Sequence, residues 1–198
     1  AVMQKSPHVF LTGAGACEFA KQQGLEEAPD EYFFSQFRYN QWQQIKETDG
    51  YALDHSTSET LQKEKKFGTV GAVACDAFGN IAAATSTGGM TNKSFGRIGD
   101  TPIIGAGTFA DNKTCAVSCT GHGEPFIRAV AAHAVSCLME YKKLNLKEAI
   151  GEIVHKKLVD MEGEGGMIGV DAAGNISMQF NSEGMYRAMR SSNGEFSV

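Results

Sequence analysis

Apolar and polar positions change their rhythm sharply at Thr69. Val70, Ala72, Val73, Ala74 and Cys75 form a nearly continuous apolar run, the pattern of a strand buried on both faces. Asp76-Ala77-Phe78-Gly79-Asn80 predicts a hairpin turn, with Gly79 suited to positive φ. Ile81 to Thr85 predicts the returning strand. The phrase recurs as Ile168-Gly169-Val170-Asp171-Ala172-Ala173-Gly174-Asn175-Ile176, which predicts a second, similar hairpin. The segments between them do not repeat, so a duplicated domain is not implied. Thr114 to Cys119 predicts a further strand.

Helical spacing follows. Glu124 to Tyr141 carries Phe126, Ile127, Val130, Ala131, Ala134, Val135 and Leu138 along one face, predicting one helix. Asn145 with Glu148 three residues on predicts a capping box. Leu146, Ala149, Ile150, Ile153, Val154 and Leu158 mark the next buried stripe. This order of strands and helices predicts sheets covered by helices.

The chain before Thr69 reads differently. His8-Val9-Phe10-Leu11 predicts a short strand, and Cys17, Phe19, Ala20 and Leu25 a loose helix. Gly13-Ala14-Gly15 lacks the third glycine and later acidic residue of a dinucleotide loop, so it reads as a glycine turn into that helix. Tyr32 to Ile45 predicts an aromatic-rich helix with Trp42 in the core. Residues 47–68 are polar and highly charged, without an apolar face, and read as a mobile linker.

Composition narrows the classes. The chain has 198 residues, 42% hydrophobic and 21% charged, enough for a packed core. A net charge of -5 argues against nucleic acid or an anionic membrane as main partner. No apolar run approaches the roughly twenty residues of a membrane span. The opening residues read as neither signal nor transit peptide. The chain begins at Ala1 rather than Met, so an N-terminally incomplete chain is expected. Its five cysteines, Cys17, Cys75, Cys115, Cys119 and Cys137, are odd in number and sparse, which reads as reduced cytoplasmic thiols rather than a disulfide framework. Cys115 and Cys119 with His122 invite a metal reading. No second ligand pair is near, so buried small hydrophobes are the reading and no metal is assigned.

Candidate chemistry gathers in four phrases. In Gly68-Thr69-Val70-Gly71-Ala72-Val73, a threonine stands where a charged linker meets an apolar strand. If the Gly68–Thr69 bond were cut, Thr69 would carry a hydroxyl nucleophile and an α-amine whose reference pKa is near ~8, a base at neutral pH. The bland alternative is a strand-initial threonine. In Thr85-Ser86-Thr87-Gly88-Gly89-Met90-Thr91-Asn92-Lys93, a hairpin centred on Phe78-Gly79 brings Thr87 close to Thr69, and Gly88-Gly89 permits close backbone approach. The alternative is a flexible turn. In Gly96-Arg97-Ile98-Gly99-Asp100-Thr101-Pro102, a cation and an anion could hold the carboxylate and ammonium of a free amino-acid group, or form a surface ion pair of little consequence. In Thr120-Gly121-His122-Gly123-Glu124, a strand-to-helix junction with two glycines offers backbone N–H groups for an oxyanion. A threonine amine would make a histidine base redundant, so His122 is read as lining the pocket.

Together these phrases, with Gly105-Ala106-Gly107-Thr108-Phe109-Ala110, resemble the plant-type L-asparaginase/isoaspartyl aminopeptidase family of N-terminal nucleophile (Ntn) hydrolases. The resemblance runs from Ser6-Pro7-His8 through Asn181 to Ala188. It implies an α+β fold, a partial αββα sandwich, with residues 1–68 the rear part of an α subunit and residues 69–198 a β subunit. It implies self-cleavage between Gly68 and Thr69 and an (αβ)2 assembly. Thr69 would be the nucleophile, and Thr87 would orient or activate it. Thr120 and Gly121 would stabilise the oxyanion. Arg97, Ile98, Gly99, Asp100, Thr120, Gly121, His122 and Gly123 would bind substrate, with Arg97 and Asp100 taking the α-carboxylate and α-ammonium. The implied reaction attacks the side-chain amide of asparagine or of a β-aspartyl dipeptide through an ester on Thr69, without a catalytic cofactor. The family's His-Gly-Gly-Ala-Gly and Asn-Ala-Gly phrases are not present. With them would go the first strand, a sodium-binding loop and part of the pocket. Two alternatives stand beside this reading: a glycosylasparaginase, and a catalytically silent truncated or precursor form.

Overall fold

The computed structural model describes residues 1–47 and 68–198. Most of the predicted linker, residues 48–67, lies outside the described residues. The chain divides into two compact units, Ala1–Gln44 and Ile45–Val198.

The first unit is helical: α1 Val2–Lys5, α2 Gly13–Gln22, a 3-10 turn Asp30–Phe33, and α3 Gln36–Ile45, which reaches the unit boundary. Helix α2 starts at Gly13, so the glycine pair is a turn into a helix, as expected. The predicted strand at His8–Leu11 is absent because no described segment pairs with it. None of these helices buries a residue. Trp42, expected in the core, is 39% exposed, and its ring lies 5.9 Å from that of Tyr39 on the same helix.

The second unit is built on two antiparallel sheets. Strands β1 (Thr69–Cys75) and β2 (Ile81–Thr87) form a hairpin. Strands β3 (Thr108–Ala110), β4 (Cys115–Gly121), β5 (Gly165–Asp171) and β6 (Ile176–Phe180) form a four-stranded sheet in that order. A small pair, β7 (Met189–Arg190) and β8 (Phe196–Ser197), follows. Both hairpin turns use the same device. Asp76 Oδ1 accepts from the N–H groups of Phe78 and Asn80 at 2.8 Å. Asp171 Oδ1 accepts from Ala173 at 3.0 Å and Asn175 at 2.9 Å. Gly79 and Gly174 supply the positive φ, +80° and +82°, that closes each turn without steric cost.

The β1–β2 hairpin lies on one face of the four-stranded sheet. A Cβ at Gly71 would stand 2.0 Å from Ser118 Oγ, so only glycine admits β4 at this distance. Ser118 Oγ also shares a 2.7 Å hydrogen bond with Thr85 Oγ1. Strand β1 was expected to be buried on both faces; instead its residues alternate between half-buried and exposed, with Val70 70% exposed. One face meets the sheet, and no described residue covers the other. The doubly buried strand is β4: Ala116 and Ser118 face the hairpin, and Cys115, Val117 and Cys119 enter the core below.

That core lies between the sheet and four helical segments, α4 (Gly123–Ala129), α5 (Ala131–Lys142), α6 (Leu146–Glu152) and α7 (Leu158–Asp160), the last two joined by a π turn at Ile153–Lys157. All six residues of the predicted stripe from Leu146 to Leu158 are buried. The capping box forms: Asn145 Oδ1 accepts from Glu148 N at 3.0 Å, and Asn145 N donates to Glu148 Oε2 at 3.1 Å. The single helix predicted over 124–141 is two. Val130 takes a left-handed conformation, φ 48°, and the first N–H groups of α5 turn to another partner. His133 N donates to Gly105 O at 2.8 Å and Ala132 N to Ala106 O at 3.2 Å. A docked loop therefore replaces the preceding helical turn as acceptor. No described helix is long and apolar enough to cross a membrane.

Candidate active site

The site forms at the open end of the β1–β2 hairpin, away from its turn. Register pairs Thr69 with Thr87, so both side chains leave the same face of neighbouring strands. Thr69 Oγ1 donates to Thr87 Oγ1 at 3.1 Å, and Thr87 Oγ1 donates to the Gly68 carbonyl at 2.9 Å. Gly89 N donates to Thr87 Oγ1 at 3.0 Å, which its φ of +78° makes sterically simple. The result is a line of hydroxyls ending on the carbonyl of the Gly68–Thr69 bond.

The second wall is the loop carrying Arg97 and Asp100. Asp100 O accepts from Ile103 N at 2.9 Å and Gly107 N at 3.1 Å. A Cβ at Gly107 would lie 2.5 Å from that oxygen. Gly107 O in turn accepts from Cys119 N at 2.9 Å, so the Gly105-to-Thr108 phrase ties Asp100 to β4. Asp100 is 5% exposed, and its Oδ2 is buried without a hydrogen-bond partner among the described residues. Burial pushes its carboxyl up to about 6, because an ion deprived of water is costly.

Arg97 does not pair with Asp100. Its Nε and Nη2 donate to Glu124 Oε1 and Oε2 at 2.8 and 2.9 Å, a two-pronged charge-assisted contact. Those hydrogen bonds hold the Glu124 carboxyl below its ordinary range.

Strand β4 supplies the third wall. Thr120 and Gly121 pair with Gly166 and Gly165. A Cβ at Gly121 would stand 2.2 Å from Glu164 O, and Glu164 O accepts from His122 N at 3.0 Å. The Gly163-to-Gly166 segment is therefore what seats Gly121.

A cleft of about 30 Å³ is lined by Gly68, Thr69, Thr87, Arg97, Gly99, Asp100, Thr120 and Gly121, which brings together most of the residues singled out in the sequence. Three stand apart. Ile98 is 45% exposed and does not line the cleft. His122 precedes α4 as its cap residue, and it is not among the residues that line the cleft. Gly123 forms a spacer between Arg97 and Asp100. Gly89, expected to permit close backbone approach, lines the cleft as well, as do Met90 and Thr101; Met90, Thr101 and Glu124 are the residues that sequence reasoning left without a role. Larger cavities exist: one of about 640 Å³ beside the hairpin turns is not lined by Thr69, Arg97 or Asp100, whereas one of about 400 Å³ is lined by Thr69 and Thr120 but not by Arg97 or Asp100.

Cys115 and Cys119 are buried, with burial pushing the Cys115 thiol up to about 12. No cluster of three metal-ligating side chains occurs among the described residues.

With this geometry in view, the profile of the family described as Asparaginase matches residues 1–198. The chain belongs to the Asparaginase family. It is 52% identical over 187 residues to the isoaspartyl peptidase of Salmonella typhimurium, covering 94% of this chain and 59% of that protein. The isoaspartyl peptidase of Escherichia coli is 51% identical, with 94% and 58% covered. The human isoaspartyl peptidase/L-asparaginase is 38% identical over 184 residues, with 93% and 57% covered. This Asparaginase-family chain thus spans under three fifths to about two thirds of the length of curated relatives it matches. Its mixed helix-and-sheet architecture is α+β.

Proposed function

We propose that this chain carries the nucleophile, clamp and cleavage site of a threonine-dependent hydrolase that cuts the side-chain amide of asparagine and of β-aspartyl dipeptides. One observation carries the reading. A hydroxyl at a strand start shares one cleft with a guanidinium and a buried carboxylate oxygen that has no partner among the described residues.

Self-cleavage comes first. Thr69 Oγ1 adds to the Gly68 carbonyl carbon, the amide nitrogen leaves with a proton, and water hydrolyses the resulting ester. Thr87 serves this step by accepting from Thr69 and donating to the carbonyl oxygen that gains charge. The new α-amine of Thr69 then acts as base for substrate. Arg97 takes the α-carboxylate and Asp100 Oδ2 the α-ammonium, so the β-carbonyl is the one presented to Thr69. Thr120 and Gly121 receive the developing oxyanion. A protonated amine or ammonia leaves, and water releases aspartate from the Thr69 ester. No cofactor takes part. The sodium implied by the family resemblance would be held by phrases this chain does not carry, so none of its residues is assigned to it.

The division at Thr69 into α and β subunits, the αββα sandwich, the (αβ)2 assembly and a cytoplasmic setting belong to the same proposal. The uncovered outer face of β1, Val70, Ala72 and Ala74, supports a further layer over the hairpin. Five free thiols support a reducing compartment.

The test is one chromatographic assay on the complete, processed protein with β-Asp-Leu, α-Asp-Leu, asparagine and N-acetylglucosaminyl-asparagine. β-Asp-Leu and asparagine should be hydrolysed and α-Asp-Leu left intact. Turnover of the α-linked peptide would sink the clamp, and preference for the glycosylated substrate would make the protein a glycosylasparaginase.

A further inference from the structure

Arg97 and Asp100 are near neighbours of opposite charge that do not meet. A single point, where a Gly123 Cβ would stand, lies 2.9 Å from Arg97 Nη2 and 3.0 Å from Asp100 Oδ1. No side chain of the described residues is recorded in that gap. On the other side, a Cβ at Gly99 would lie 3.0 Å from Arg97 Nη1, so the guanidinium sits in a slot between two glycines. Among the described residues, the hydrogen bonds recorded for its side chain go to Glu124. Asp100 Oδ2 is meanwhile buried and without a partner among the described residues, and attraction between unlike charges grows as water is excluded. Left alone, Arg97 would close on it.

What holds Arg97 back is Glu124, in the first turn of α4, through the paired contacts at 2.8 and 2.9 Å. We infer that Glu124 is a positioning residue that keeps the substrate clamp open: it occupies the Nε–Nη2 edge of Arg97 and thereby leaves Asp100 Oδ2 free for a substrate ammonium. The inference rests on the proposed hydrolase reading and deepens it. It also assigns the Nη1 end of Arg97 to the substrate carboxylate. Glu124 suits this task because Arg97 keeps it ionised below its ordinary range, while Asp100 titrates near 6. The charged and titratable groups around Asp100 are Arg97 on its own loop, Glu124 with His122 beside it at the start of α4, and the Cys119 thiol on β4. Burial raises that thiol well above its ordinary range, so it stays neutral.

The experiment compares wild type, Glu124→Gln and Glu124→Asp in the complete, processed protein with β-Asp-Leu. In wild type, kcat/KM should fall as pH drops through about 6, where Asp100 becomes protonated and loses the ammonium. In Glu124→Gln, Arg97 swings to Asp100. At pH 8, where Asp100 is ionised in every variant, KM should rise roughly tenfold or more with kcat changed less, which tenfold equates to about 1.4 kcal/mol of lost binding. The acid limb should also move to lower pH. Glu124→Asp, charged but shorter, should fall between the two. Self-cleavage, which uses no clamp, should persist in both variants and reports folding; if Glu124→Gln fails to self-cleave, Glu124→Asp carries the test. An unchanged or lower KM at pH 8 overturns the inference, as does a shifted acid limb without the KM change, which would make Glu124 only a charged neighbour. A wild type without hydrolysis overturns the functional reading instead.

Discussion

Two of the molecule's hairpins, β1–β2 and β5–β6, share one turn and meet two fates. The β1–β2 and β5–β6 turns share an aspartate accepting from the second and fourth residues beyond it, an asparagine returning a 2.8 Å bond to the other carboxylate oxygen, and a glycine at positive φ. The turns even touch: a Cβ at Gly79 would lie 3.1 Å from Ala172 O. Yet β5 is buried along nearly its whole length and β1 alternates with solvent. Turn chemistry sets register within a few residues, whereas burial is decided by what covers the strands. Helix α6 covers β5–β6, with Ile150 and Leu146 closing over Gly169. The open end of β1–β2 is left as a ledge for reactive side chains.

The largest expected contrast is chemical. Thr69→Ala in the complete protein should lower turnover of β-Asp-Leu by roughly 10³-fold or more, while calorimetry finds the melting temperature nearly unmoved. A large stability loss would make Thr69 a packing residue like those of β5.

The next contrast concerns covering. Met167→Ala on β5, fully buried, should cost about 2–5 kcal/mol in denaturant unfolding. Val70→Asp on β1 should cost the complete protein about 2–4 kcal/mol if a further layer lies over the hairpin. A loss below about 0.5 kcal/mol, typical of open surface, would mean that face stays in water.

Asp100 separates function from stability. Its carboxyl is raised from 3.8 to about 6, so the folded chain holds the proton more tightly than the unfolded one. The stability tied to that proton is fully present below pH 3.8 and lost as pH rises through about 6. Asp100→Asn should therefore stabilise the protein at pH 7.5 by up to about 3 kcal/mol and by much less at pH 4.5, while abolishing hydrolysis. An equal gain at both pH values would remove burial of charge as the cause.

The smallest contrast returns to the turns. Asp76→Ala and Asp171→Ala should each lower the urea unfolding midpoint by a similar, small amount, alike despite the difference in burial. Unequal losses would show that covering, not the shared turn, governs these sites.

Local chemistry was legible in the sequence. Both hairpins, the Asn145 capping box, the stripe from Leu146 to Leu158 and the meeting of Thr69 with Thr87 all follow from short spacings. What depends on a distant partner was not. Val130 breaks its helix because the carbonyls of Gly105 and Ala106 replace a helical turn. Strand β1 has the composition of a strand covered twice but one covered face. Glu124 stood in a phrase already singled out, but its meeting with Arg97, 27 residues away, depends on how the loop folds over β4.

The central claim is that Thr69 is a nucleophile released by cutting its own chain. Intact mass spectrometry of the complete protein after incubation tests it most directly. Two fragments divided between Gly68 and Thr69 are predicted for wild type, and one undivided chain for Thr69→Ala. A wild type that stays whole, or a Thr69→Ala chain still cut before position 69, would contradict the account.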